Sequence, residues 1–104
     1  MDYNSTDISY IVDNNKFNYR VCGLMIRDGR ILAMHDERSP YYYLPGGRVK
    51  MGETAECAIV REIKEELGIT PHIIRPLNSN MYFFSRFPGS KGFVIQTDYI
   101  VIRE

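Results

Sequence analysis

Residues Gly47-Arg48-Val49-Lys50-Met51-Gly52-Glu53-Thr54-Ala55-Glu56-Cys57-Ala58-Ile59-Val60-Arg61-Glu62-Ile63-Lys64-Glu65-Glu66-Leu67-Gly68-Ile69 join a glycine-rich turn to a helix edged with carboxylates. Glu62, Glu65 and Glu66 stand at i, i+3 and i+4, so on a helix they leave one face and crowd three negative charges together. Without a cation that crowding destabilises the helix. Carboxylate oxygens are the hard ligands that Mg²⁺ and Mn²⁺ take, and Mg²⁺ keeps waters and fills its shell from substrate phosphates. The local chemistry suggests metal-assisted work on phosphates. For an arbitrary glutamate-rich helix a solvated charged face is the better account, and only the whole pattern of positions reverses that balance.

That pattern is Gly47, Glu53 after a five-residue gap, Arg61-Glu62-Ile63 after a seven-residue gap, then Glu65-Glu66, Gly68 and Ile69. It resembles the Nudix box with no fixed position missed, and is far more specific than a lone glycine motif. The resemblance implies an α+β fold, a Nudix-like α/β/α sandwich around a mixed β-sheet. It also implies a metal-dependent pyrophosphohydrolase that cleaves a nucleoside diphosphate linked to another group X, with Mg²⁺ or Mn²⁺ as cofactor. In that reading Glu62, Glu65 and Glu66 are catalytic and hold the metal, Arg61 orients the carboxylates, and a backbone carbonyl of the Gly46-Gly47 turn joins the metal shell. Glu53 either takes a proton from the attacking water or pairs with Arg61. Arg48 and Lys50, with Gly47, are expected at the substrate phosphates, and Arg86 could reach them from a distant strand. The rival reading is a non-catalytic nucleotide-sensing domain. No subfamily marker singles out a substrate, so nucleoside triphosphates and nucleotide sugars stand level.

Composition sets outer bounds. At 104 residues the chain is long enough for one core. Thirteen lysines and arginines balance thirteen aspartates and glutamates, so no basic field exists for a phosphate backbone and no nucleic acid polymer is expected as partner. A nucleotide-type small molecule fits better. Cys22 and Cys57 read as thiols in a reducing compartment, and no apolar run is long enough for a signal peptide or membrane helix. A cytoplasmic protein without membrane contact is expected.

Residues 1–16 read as an N-terminal arm and 17–104 as the Nudix domain, with Ile8 to Val12 either a short edge strand or, preferably, part of a loosely held arm. Phe17 to Ile26 and Arg30 to His35 flank Asp28-Gly29, a signal for a type I′ hairpin expected at the sheet's centre. Gly23 marks a bulge or a close approach. Tyr41 to Leu44 reads as a strand whose aromatic residues pack, although they could stack a nucleobase. Thr54 and Gly68 cap the helix, whose apolar stripe is Ile59 or Val60, Ile63 and Leu67. Pro71 to Leu77, Met81 to Phe87 and Phe93 to Arg103 follow as strands, with turns at Asn78-Ser79-Asn80 and Pro88 to Gly92. His35 and His72 are isolated and stay outside the site.

Nudix domains are usually longer, with a second helix and a late carboxylate, for which Glu104 is a weak substitute. The last strand is apolar on both sides, from Phe93 to Ile102. Cover for its open face is expected from the N-terminal arm or from a second copy, as a homodimer.

Overall fold

Asp28 and Gly29 turn the chain as expected, both with positive φ, 53° and 74°, the type I′ combination. The computed structural model describes residues 6–84 and 91–103. Its elements in order are β1 (Ser9–Val12), β2 (Asn15–Arg27), β3 (Arg30–Ile31), β4 (Gly46–Arg48), α1 (Ala55–Leu67), β5 (Pro71–Phe84) and β6 (Lys91–Arg103). The sheet is mixed, as expected. Its order is β1-β2-β6-β5, with β2 and β6 parallel and every other pair antiparallel.

β6 runs beside β2 from Asn15 to Met25 and fills one edge of it. The other edge takes β1 at residues 15–18, β4 at 20–22 and β3 at 26–27. The hairpin therefore supplies only half of the sheet's centre. β3 stops at Ile31; beyond it Leu32 still donates its amide to the Met25 carbonyl at 3.0 Å, and Met34 forms an isolated bridge with Tyr43.

Three further expectations change. Ser9–Val12 pairs with β2 and so extends the sheet edge, instead of forming a loose arm or a cover over a face. Asn78-Ser79-Asn80 lies inside β5, where pairing with Asp98, Thr97 and Gln96 outweighs the local preference for a turn. Pro76 is tolerated because β5 is the outer strand and shifts register on either side of it. Tyr41 to Leu44 forms no strand beyond the single bridge at Tyr43. The end of the expected strand 81–87, Arg86, the start of the turn after it and Glu104 lie outside the described residues.

α1 begins and ends where its caps dictate. Thr54 Oγ1 accepts from the Cys57 amide at 3.1 Å, and Gly68, at φ 68°, donates its amide to the Lys64 carbonyl. Ala58, Ile59 and Ile63 are fully buried against Val21, Val49, Tyr99 and Val101. Burying a side chain the size of isoleucine contributes about 1.5–3 kcal/mol. Gly23 lets this contact form: a Cβ there would sit 2.9 Å from Ile63 Cδ1 and 3.3 Å from Val101 Cγ2. Among the described residues no helix is long and apolar enough to cross a membrane.

Candidate functional site

With Ile59 and Ile63 pointing into the core, helical geometry turns Glu62, Glu65 and Glu66 toward the flank of the sheet where β4 runs. β4 is built from glycines there for a steric reason. A Cβ on Gly47 would run into the Glu62 carboxyl group, and one on Gly46 into the Val21 carbonyl. Gly47 lets the helix close on β4 until the Glu62 carboxyl lies on the strand backbone, while Gly46 lets β4 close on β2. Gly46 donates its amide to Glu66 Oε1 at 3.3 Å.

Arg61 ties the acidic face together. Its Nε and Nη2 donate to the two oxygens of Glu53 at 2.9 and 2.8 Å, a bidentate pair. Nη1 reaches Glu62 Oε1 at 2.8 Å and Glu65 Oε2 at 3.3 Å, while Nη2 also donates to the Arg48 carbonyl at 3.0 Å. Glu53 further accepts the Lys50 amide at 2.9 Å. The hydrogen bonds from Arg61 hold the Glu53 carboxyl below the usual carboxylate range, and the same contacts push the Arg61 guanidinium further up. Glu66 shifts the other way: burial raises it, and the neighbouring Glu62 charge adds to that against the Gly46 amide.

The residues singled out in the sequence thus gather on one side of the molecule, but not all by their side chains. Arg48 and Lys50 enter the network through backbone atoms. The Arg48 guanidinium points to Asp7 at 3.6 Å, and its Nε is buried without a partner. Asp7 carried no signal in the sequence, because only the bridge between Asp7 and Lys50 brings it there. Among the described residues no three acidic, histidine or cysteine side chains form a ready metal cage, since Arg61 engages Glu62 and Glu65. The donor set still suits a hard divalent ion. Two half-buried carboxylates, Glu62 and Glu66, lie close enough for one charge to act on the other, and only one of them is paired with Arg61.

A family model described as NUDIX domain matches residues 16–102. The chain belongs to the Nudix family. Within it, a Nudix relative named ADP-ribose pyrophosphatase, from Methanocaldococcus jannaschii, is 45% identical over 56 residues, covering 51% of this chain and 33% of the relative. An RNA pyrophosphohydrolase from Sphingopyxis alaskensis is 41% identical over 64 residues, covering 57% of this chain and 40% of the relative. The MutT NUDIX hydrolase structure from Burkholderia pseudomallei superposes with a TM-score of 0.67 at 29% identity, over 81% of this chain and 65% of that one. This Nudix chain therefore spans a third to two fifths of the length of those two relatives.

Proposed function

We propose that this Nudix chain hydrolyses the phosphoric anhydride bond of a nucleoside diphosphate linked to X, by attack of water at phosphorus. The observation that supports this best is the closure of α1 on β4, where Gly47 leaves room for the Glu62 carboxyl and the Gly46 amide holds Glu66. Glu62, Glu65 and Glu66, with a carbonyl of the Gly46-Gly47 segment of β4, would hold Mg²⁺ or Mn²⁺. The ion supplies an activated water and neutralises phosphate charge. Arg61 is a positioning residue, and Glu53, with both oxygens committed to it, is better suited to orient Arg61 than to move a proton. A nearby carboxylate of the same acidic face would accept the proton that the attacking water loses. Arg48 and Lys50 are the proposed cations at the substrate phosphates, Arg48 on turning from the Asp7 contact it makes here.

The substrate class fits the names of two relatives, an ADP-ribose pyrophosphatase and an RNA pyrophosphohydrolase. A cytoplasmic location, a homodimer and the absence of nucleic acid polymers as partners belong to the same proposal. The deciding experiment is a panel of nucleoside triphosphates, nucleotide sugars, ADP-ribose and 5′-triphosphorylated RNA, assayed with Mg²⁺ and with Mn²⁺ for released phosphate and pyrophosphate. Metal-dependent release from at least one small nucleotide is expected. Binding without release from any of them would favour the sensing domain.

A further inference from the structure

Residues 34 to 43 connect β3 to β4, and their backbone is fixed while their aromatic rings stand in solvent. Met34 and Tyr43 exchange both backbone hydrogen bonds, at 2.7 and 2.9 Å. Asp36 Oδ1 accepts the Arg38 amide at 2.8 Å, Ser39 Oγ accepts the Tyr41 amide at 3.1 Å, and the Tyr43 hydroxyl donates to Asp36 Oδ2 at 3.3 Å. Yet Tyr41 is 75% and Tyr42 73% exposed. The Tyr42 ring lies against His35, centroids 4.8 Å apart and planes tilted by 35°, and at that exposure its other face is open.

An ordered loop that holds two large rings in water gains nothing for the core. It does lower the entropic cost of placing a flat ligand on those rings. The loop also lies beside the acidic site. Three residues after Tyr43 comes Gly46, whose amide holds Glu66, and three extended residues span at most about 10 Å. Partial desolvation, then Asp36 and, across the site, Glu66 all raise the Tyr43 hydroxyl.

We propose that Tyr41 and Tyr42, backed by His35, form a stacking platform for the nucleobase of the nucleotide whose phosphates lie at the Glu62 and Glu66 face. This rests on the function proposed above and adds to it the element that recognises the base. Every base offers a π-face, so such a platform favours nucleotides over base-free phosphates without selecting one base strongly.

The test compares two probes that contain no anhydride bond, AMP and ribose 5-phosphate, by calorimetry in Mg²⁺ with the wild type, Tyr42→Phe and the double variant Tyr41→Ala/Tyr42→Ala. The wild type should bind AMP about tenfold more tightly than ribose 5-phosphate. The double variant should lose that preference, and Tyr42→Phe should keep it. For a hydrolysed nucleotide the double variant should raise KM about tenfold with kcat retained. Circular dichroism should be unchanged, because the altered side chains are exposed. An AMP preference that survives in the double variant, or that is missing in the wild type, overturns the platform. If no nucleotide is hydrolysed, the catalytic reading fails while the two binding measurements still decide the stacking.

Discussion

Arg61 uses its planar fork on Glu53, Glu62, Glu65 and the Arg48 carbonyl at once, which a lysine ammonium cannot match. Arg61→Lys is therefore expected to lower kcat about 100-fold through misplaced carboxylates while the fold persists, with kcat and the melting temperature measured together. Glu65→Gln and Glu66→Gln, which keep shape and remove charge, should each lower kcat by about two or more orders of magnitude, and His72→Gln should change little. Glu53 gives a prediction of opposite character. Its folded carboxyl lies below the ordinary value of about 4.3, so the Arg61 pair stabilises the protein above that pH and the contribution is lost as pH falls through the folded value. Urea midpoints of wild type and Glu53→Gln should be furthest apart at pH 7 and should converge below about pH 4. A constant gap down to pH 3 would mean that the pair contributes no charge-dependent stability.

At the scale of elements, legibility followed the range of the forces. The ends of α1 could be read from Thr54 and Gly68 because a cap is satisfied within its own turn, and the Asp28-Gly29 turn for the same reason. Asn78-Ser79-Asn80 misled because its local preference for a turn is weaker than a ladder formed with a strand some twenty residues later. The tyrosines at 41 to 43 looked like strand residues, yet among the described residues their strand-type pairing is limited to the Met34–Tyr43 bridge. The paired glycines read as a turn, yet they form the start of β4, paired with Cys22 and Val21, and their separate duties were not legible. A Cβ at Gly47 meets the end of a side chain, whereas one at Gly46 meets the backbone of β2. Gly47→Ala should thus displace Glu62 and reduce turnover about 100-fold with a nearly native melting temperature. Gly46→Ala should separate β4 from β2 and cost about 1–3 kcal/mol of stability, read from the urea midpoint. Equal loss of stability in both variants would show that neither glycine is specific to the acidic site.

For the whole molecule, the parallel pairing of β2 with β6 joins the first third of the chain to its end, and no residue pattern announces such a partner. The candidate site could be singled out without the sheet because its spacing sits within one helix and the short segment before it. That helix is held by a small core of Val21, Val49, Ala58, Ile59, Ile63, Tyr99 and Val101, and the acidic face rides on the same helix. Loss of the core disperses the carboxylates, so a divalent ion held by them binds the folded chain far better than the unfolded one. At a metal concentration a hundred times its dissociation constant, that preference stabilises the fold by about 2.7 kcal/mol. For a domain near this size, each kcal/mol raises the melting temperature by about 4–8 °C, so millimolar Mg²⁺ or Mn²⁺ should raise it on the order of 10 °C. Calorimetry against sodium chloride of matched ionic strength separates binding from screening. Glu66→Gln should lose most of the rise, a chelator should reverse it and abolish hydrolysis in step, and identical melting curves with and without metal would remove the metal from the mechanism.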